Sequence, residues 1–199
     1  MERLRKLDPS EWDASLRAAI KPEERTPLEN GLMRFFAHRP ELALGMGGFS
    51  GALKKHRRVP ERLMELMRLR IAFHNQCRSC MAIRYRDAVS DGLSEELVCS
   101  LEKPYEAAEL TPAEKAAIRF GDLLASNHLA LDDAVYAELH RHFDEGEIVE
   151  IGMYAAFCVG FGRWAATLHM VEELPKAYQD APVGEGAIAP WGNDAVLVR

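Results

Sequence analysis

Long apolar runs are missing from this 199-residue chain. No stretch reaches the roughly 18 uninterrupted apolar residues that a membrane-spanning helix needs. The richest stretch, residues 148–170, is interrupted by Glu150, by Arg163 and by several glycine and histidine residues. The first eight residues contain no apolar core of signal-peptide length. The sequence therefore predicts a protein without membrane association, located in the cytoplasm.

An excess of positive charge is also missing. The chain has 25 Lys and Arg residues against 31 Asp and Glu residues, which gives a formal net charge of -6. Nucleic-acid-binding domains usually carry a net positive charge or a basic face. We therefore expect no nucleic-acid partner.

Cysteines are few, and two of the four, Cys77 and Cys80, stand three positions apart with Arg and Ser between them. In a cytosolic protein such a pair is better suited to catalysis or metal binding than to a structural cross-link. A dithiol at this spacing closes into a disulfide and reopens. No second Cys-x-x-Cys and no paired histidines at ligand spacing support a zinc site, so we expect no metal and no cofactor. Cys99 and Cys158 are interpreted as small buried hydrophobes.

Strand-like alternation is absent, and apolar residues recur at three- and four-residue spacing, which predicts an all-α fold. The segment 111–114, Thr-Pro-Ala-Glu, is a capping box with proline at the first helical position. Ser94 is the predicted N-cap of a helix over 95–102, and the segment 59–61 opens the helix that carries Glu65. Residues 1–180 are predicted to form a single domain. Residues 181–199, rich in Gly, Pro and Ala, are expected to form a tail or an arm that packs on something else.

A faint internal repeat relates residues 26–77 to residues 111–162. A second capping box, at Thr26, precedes the one at Thr111 by 85 residues. In the same register Glu65 aligns with Glu150, which is interpreted as structural. The repeat predicts two similar helical halves, of which only the first carries the thiols. The identities are few, so a chance resemblance is the alternative.

The distance between Glu65 and the thiols imposes a condition on the fold. Twelve residues of unbroken helix would separate Glu65 from Cys77 by about 18 Å. Either the helix ends before Cys77 and the chain turns back, or Glu65 has no role with the thiols. If a new helix begins near Cys77, its N-terminus favours the thiolate over the thiol. The other candidates for this site are basic or aromatic residues: Arg78, Arg84, His74 and Tyr85.

The sequence resembles the alkylhydroperoxidase D / carboxymuconolactone decarboxylase superfamily from about residue 33 to residue 178. The resemblance rests on residues 65–72, on the Asn-Gln-Cys-Arg-Ser-Cys segment 75–80, and on residues 87–88 and 92–96. The second half, from residue 110 through residue 163, also resembles the family. It implies an all-helical AhpD-like fold that is built from helix repeats and assembles as homo-oligomers.

The peroxidase branch of this superfamily suggests a role for each site residue. There the second cysteine attacks the peroxide, and the first resolves the sulfenic acid to a disulfide. This implies that Cys80 is the peroxidatic thiol, Cys77 the resolving thiol and Glu65 the base, which receives the proton through a histidine and a water. The histidine position holds Arg84 here. A guanidinium stabilises a thiolate but does not shuttle protons near neutral pH, so the relay is altered, served by another group or missing.

The main hypothesis is therefore a thiol-dependent oxidoreductase that reduces hydrogen peroxide or small organic hydroperoxides and is recycled by an unknown disulfide reductant. The first alternative is a decarboxylase-type lyase, although that branch typically lacks the cysteine pair. The second alternative is a non-catalytic, redox-sensing oligomer. It stays open because Arg84 replaces the histidine of the peroxidase branch. Two residues have a structural alternative: Glu65 as a buried carboxylate paired with Arg68 or Arg70, and His74 as a supporting residue.

Overall fold

The computed structural model describes residues 3–180 and 187–199. This part of the chain is mostly helical, as predicted. Its α-helices are, in chain order, α1 (Ala14–Ile20), α2 (Pro27–Asn30), α3 (Met33–Phe36), α4 (Pro40–Lys55), α5 (Glu61–Asn75), α6 (Arg78–Ala82), α7 (Arg86–Ser90), α8 (Glu95–Ser100), α9 (Pro112–Ser126), α10 (Asp133–His140), α11 (Glu145–Thr167) and α12 (Lys176–Gln179). Two short strands, β1 (Ile83–Tyr85) and β2 (Val196–Val198), were not predicted. Residues 181–186 of the predicted tail lie outside the described residues.

The predicted helix starts agree with the structure. Thr26 and Thr111 each form a capping box with a glutamate three residues later, at the starts of α2 and α9. Ser94 accepts a hydrogen bond from the Leu97 amide at the start of α8, which ends two residues earlier than predicted. Each capping interaction involves residues within one helical turn, so it can be predicted from the sequence without knowledge of the tertiary structure.

Helix α5 lies at the centre of the molecule and packs against α9 and α11. Its apolar side chains are almost fully buried on every side: Leu63, Met64, Leu66, Met67, Leu69, Ile71 and Ala72. A Cβ atom at Gly121 of α9 would lie 2.7 Å from Cγ of Met67, so the glycine permits the close approach of α5 and α9. Because α5 is buried all round, its charged side chains require partners inside the protein.

The C-terminal segment, defined here as residues 187–199, packs against the region of the cysteine pair. Strand β2 pairs in parallel with β1, with Ile83 opposite Val196 and Tyr85 opposite Val198. The Trp191 ring contacts Phe73 of α5, with 4.8 Å between the ring centroids. The C-terminal segment thus covers the end of α5 and the residues that follow it.

The internal repeat stays a prediction. Helices α4 and α5 occupy the positions that the 85-residue register assigns to α10 and α11. The first helix of the repeat differs, because Gly31, with φ of 36°, separates α2 from α3, whereas α9 is continuous. Within the two described ranges, 3–180 and 187–199, no helix is long and apolar enough to cross a membrane.

Candidate active site

The chain turns back immediately before the first cysteine. Helix α5 ends at Asn75, and Gln76 has a left-handed conformation with φ of 50°. Cys77 is the N-cap of the five-residue helix α6, and its amide donates a hydrogen bond to the carbonyl oxygen of Ala72. This turn meets the condition under which Glu65 can act with the thiols, because an unbroken helix would have kept the two apart.

Cys77 and Cys80 form a disulfide, with 5.2 Å between their Cα atoms, inside the usual range for such a bond. The two cysteines differ in accessibility. Cys77 is completely buried. Cys80 is partly buried and lines a cavity of about 610 Å³. A small molecule in this cavity therefore meets the side chain of Cys80 rather than that of Cys77.

Arg68 connects Glu65 to the cysteine segment. Its Nε and Nη2 atoms lie 2.5 and 2.7 Å from the two carboxylate oxygens of Glu65. Its Nη1 atom donates to the carbonyl oxygen of Cys80 at 2.6 Å, and Nη2 also donates to that of Ile83 at 3.0 Å. The amide of Tyr85 donates to Glu65 at 3.3 Å. Arg68 thus holds the Glu65 carboxylate and, at the same time, the backbone before and after the end of α6.

The electrostatics around Arg68 favour its charged state. Burial alone would lower the pKa of Arg68, but the adjacent Glu65 carboxylate outweighs burial and raises it. Arg68 is therefore a permanent positive charge at the wall of the cavity. The Tyr85 ring lies over the guanidinium, with 5.1 Å between the ring centroid and Cζ of Arg68.

The cavity lies between α4, α5 and α11, and several of its walls are apolar or aromatic. Glu65, Arg68, Cys80 and Tyr85 line one side. Helix α11 contributes a row of side chains one helical turn apart: Tyr154, Phe157, Cys158 and Phe161. Val198 and Arg199 of the C-terminal segment complete the lining near Glu29.

The row on α11 was not identified as part of the site from the sequence. Its i, i+3, i+4 and i+7 spacing is a signal for one shared helix face. The sequence does not single out this face, because α11 carries apolar residues on all of its faces. Burial raises the pKa of Tyr154, and it raises the pKa of Cys158 to about 12. Cys158 is therefore a neutral thiol at neutral pH, although it shares the cavity with Cys80.

Arg84 does not lie on the helix face of Cys80, because α6 ends at Ala82 and β1 begins at the next residue. Its buried guanidinium is directed away from the cavity and forms two bonds with Glu95, at 3.0 and 3.1 Å. It also donates to the carbonyl oxygens of Met81 and Pro190, each at 2.8 Å. In this structure Arg84 joins β1 to α8 and to the C-terminal segment.

His74 also lies outside the cavity. Its Nε2 atom is 3.0 Å from Oδ1 of Asp122, which forms two 2.9 Å bonds with Arg70 and accepts a 2.8 Å bond from the Tyr105 hydroxyl. Burial would raise the pKa of Asp122, but the bonds from His74 and Arg70 prevail and lower it. His74 thus belongs to a charged cluster that ties α5 to α9.

Arg78 points to the opposite side of the cysteine segment, where it donates to the carbonyl oxygens of Tyr178 and Gln179. Glu150 accepts bonds from the amides of Arg58 and Val59, ahead of α5. In the described part of the chain, no three His, Cys, Asp or Glu side chains are grouped so that they could hold a metal ion.

Comparison with known proteins gives matches at three levels. Residues 40–122 match the carboxymuconolactone decarboxylase family. Two uncharacterized proteins of Mycobacterium tuberculosis, from strains CDC 1551 / Oshkosh and ATCC 25618 / H37Rv, are each 34% identical over 117 residues, or 57% of this chain. The matched segment spans only 40% of the length of those relatives.

Two solved structures share the fold. The alkylhydroperoxidase AhpD core of a peroxidase-related protein from Ralstonia eutropha JMP134 has a TM-score of 0.72 at 17% identity, covering 89% of this chain and 94% of its own. The debrominase Bmp8, in a C82A variant bound to 2,3,4-tribromopyrrole, has a TM-score of 0.72 at 20% identity, covering 89% and 96%.

Proposed function

Because residues 40–122 match the carboxymuconolactone decarboxylase family and the fold is that of AhpD-like proteins, this chain belongs to the alkylhydroperoxidase D / carboxymuconolactone decarboxylase superfamily, and we propose that it is a thiol-dependent peroxidase. Its proposed substrates are small organic hydroperoxides and hydrogen peroxide. The observation that carries the proposal is the Cys77–Cys80 disulfide, with Cys80 at the wall of a cavity that also contains Glu65 and Arg68.

The reaction begins from the reduced dithiol. The Cys80 thiolate attacks one peroxide oxygen, the O–O bond breaks, and Cys80 becomes a sulfenic acid while an alcohol or water leaves. The Cys77 thiol then attacks the Cys80 sulfur, forms the disulfide and releases water. In sum, one hydroperoxide and two thiols give one alcohol, one water and one disulfide. An external two-electron reductant restores the dithiol.

Arg68 and Glu65 have distinct proposed roles. The permanent charge of Arg68 at the cavity wall favours the Cys80 thiolate over the thiol. Glu65 holds Arg68 in place and is the proposed acceptor of the Cys80 proton, directly or through cavity water. No histidine is among the described residues that line the cavity, so the histidine relay has no counterpart at this wall.

Steady-state consumption of cumene hydroperoxide, with dithiothreitol as reductant, tests this proposal. Cys80→Ser should abolish turnover. Cys77→Ser should leave a single oxidation event and a sulfenic acid that dimedone traps at Cys80. Glu65→Gln should reduce the rate by about 10²-fold, the lower end of the range for general acid–base help. Cys99→Ser is the matched control and should retain full turnover, since Cys99 is an exposed free cysteine and not the buried hydrophobe that the sequence predicted. Turnover that survives Cys80→Ser would refute the proposal.

A second candidate is reductive dehalogenation of a small aromatic ring. A cavity of about 610 Å³ with tyrosine and phenylalanine walls is far larger than hydrogen peroxide requires. The debrominase that shares the fold binds a tribromopyrrole. In this reaction an aryl bromide and two thiols give the dehalogenated arene, hydrogen bromide and one disulfide. Bromide release from a bromopyrrole, dependent on Cys80, would select this activity over peroxide reduction.

The remaining alternatives give different results with the same protein. A decarboxylase-type lyase would release CO₂ from its substrate even after both thiols are alkylated. A redox sensor would form the disulfide with peroxide only slowly, so that peroxide consumption with excess dithiothreitol would not exceed the rate measured without the protein.

A further inference from the structure

A second cavity, also of about 610 Å³, lies on the other side of the cysteine segment, between the ends of α5 and α11. We call it the arginine cleft. Arg3, Arg78, Arg163 and His169 line it, and no carboxylate side chain is among its described lining residues. It shares four lining residues with the Cys80 cavity: Asn75, Ser79, Ala165 and Met170.

Among the residues that the structure describes, two of the arginines, both of them exposed, have only uncharged partners. Arg163 donates from Nε to Oδ1 of Asn75 at 3.2 Å and from Nη2 to the carbonyl oxygen of Ala125. Arg3 donates from Nη1 to the carbonyl oxygen of Thr167 at 2.6 Å. Both carbonyls belong to the last turns of helices, α9 and α11. A helix C-terminus carries only about half a negative charge, so two full positive charges face incomplete compensation.

Arg163 is an exposed residue whose guanidinium is oriented by these two hydrogen bonds. Asn75, which accepts its Nε–H, is itself buried and donates to the carbonyl oxygen of Cys158 at 3.0 Å. Because these bonds engage one edge of the guanidinium, its Nη1 atom is left for a ligand. A planar guanidinium held in this way suits a planar carboxylate.

Much of the remaining lining of the arginine cleft is apolar and is formed by Ala165, Ala166, Met170, Val171, Ala187 and Ile188, beside the polar side chains of Asn75, Gln76, Ser79 and Thr167. A hydrated inorganic ion gains nothing from such walls, whereas the hydrocarbon part of an organic anion is stabilised when it packs there.

We propose that the arginine cleft binds an organic carboxylate, with its carboxylate group on Arg163 and Arg3 and its apolar part against Ala165, Met170 and Ile188. The site adjoins the Cys80 cavity, with which it shares lining residues but not Cys80 itself, and its occupation does not depend on the peroxidase proposal. The ligand would lie against Ser79, between the two cysteines in sequence.

Isothermal titration calorimetry of the full chain at low ionic strength tests this site, because exposed charges are then least screened. The probes are sodium hexanoate, sodium acetate and sodium phosphate. Hexanoate should bind about tenfold more tightly than acetate, since two or more of its additional CH₂ groups are buried. Arg163→Gln should weaken hexanoate binding by about tenfold, the value of one charge-assisted hydrogen bond.

Arg141→Gln is the matched control, because Arg141 is exposed on the surface after α10 and pairs with Glu138. It should bind hexanoate like the wild type. Arg163→Lys and Arg3→Gln provide the test if Arg163→Gln does not fold, and each should weaken binding several-fold. The site is refuted if wild type shows no saturable hexanoate binding, if the control loses as much affinity as the cleft variants, or if phosphate binds and neither carboxylate does.

Discussion

Three cysteines near the site differ in burial and in their surroundings, and we expect these differences to set the reactivity of their thiols in the reduced protein. Cys80 lines the cavity near the guanidinium of Arg68, Cys77 is completely buried beneath it, and Cys158 faces the same cavity as a neutral thiol. Since the thiolate is the nucleophile, position in the cavity alone does not make a cysteine reactive.

We predict that iodoacetamide modifies Cys80 of the reduced protein far faster than Cys158. With a pKa of about 12, Cys158 is ionised in only about one molecule in 10⁵ at pH 7. Peptide mass mapping after short alkylation pulses measures both rates, with the exposed Cys99 as an internal reference. Equal rates at Cys80 and Cys158 would contradict the assignment of Cys80 as the nucleophile.

Arg84 leads to a prediction about stability rather than rate. Arg84→Ala would leave the carbonyl oxygens of Met81 and Pro190 without their donor. We expect a loss of about 1–3 kcal/mol in the free energy of unfolding, measured by urea denaturation. Arg86→Ala, at a neighbouring exposed position, is the control and should change stability by less than about 0.5 kcal/mol. If Arg84→His accelerated peroxide reaction without loss of stability, Arg84 would belong to the site after all.

At the scale of elements, the turn between α5 and α6 organises the site and also holds the C-terminal segment. The side-chain amide of Gln76 donates to the carbonyl oxygen of Ile188 at 3.1 Å and accepts from its amide at 2.9 Å. The residue that reverses the chain before Cys77 therefore also anchors the segment that brings Val198 to the cavity wall.

Gln76→Ala should loosen the C-terminal segment without unfolding α5. The substitution removes two hydrogen bonds to Ile188, of about 1 kcal/mol each, and one to the carbonyl oxygen of Phe73 within α5, so amide exchange across Val196–Val198 should accelerate by at least about tenfold. Hydrogen–deuterium exchange with mass spectrometry measures this. Gln179→Ala, which removes two bonds to the carbonyls of Glu172 and Leu174, is the matched control and should leave that strand unchanged. Unaltered exchange in Gln76→Ala would show that the pairing with β1 and the contacts of Trp191 and Pro190 hold the segment without Gln76.

The elements also show why some features were predictable. The starts at Thr26, Thr111 and Ser94 depend on one turn of chain. The end of α5 before Cys77 is one of the two alternatives that the distance from Glu65 to the thiols left open. The position of Arg84 depends on a strand that exists only because β2, more than 100 residues later, pairs with β1. The α11 wall of the cavity depends on which faces of an apolar helix meet α4 and α5. The pattern of neighbouring residues in the sequence predicts neither the pairing of β1 with β2 nor the face of α11 that lines the cavity.

At the scale of the whole molecule, the described chain leaves one face of α11 uncovered. Val149, Met153 and Trp164 retain 58%, 47% and 41% of their exposed surface. A Cβ atom at Gly152 or Gly160 would meet nothing within 4 Å. A helix that is apolar all round is normally buried on all sides. We propose that a second copy of this chain covers this face, which we call the α11 face, in a homo-oligomer.

Size-exclusion chromatography with light scattering should show a homo-oligomer at micromolar concentration. Met153→Glu should convert it to monomers, because a buried unpaired carboxylate is strongly unfavourable. Leu129→Glu is the control, since Leu129 is 84% exposed and lies apart from the α11 face, in the turn after α9. A wild-type monomer, or equal dissociation in both variants, would contradict the α11 interface.

The central claim, a peroxide-reducing dithiol at Cys77 and Cys80, is tested most directly by single-turnover stoichiometry. The fully reduced protein is mixed with one equivalent of cumene hydroperoxide, free thiols are counted, and the disulfide is mapped by peptide mass. We predict that two thiols per chain are lost, that one equivalent of cumyl alcohol is formed, and that Cys77 and Cys80 are joined by a disulfide bond. Free thiols at both positions, with oxidation at Cys99 or Cys158 instead, would contradict it.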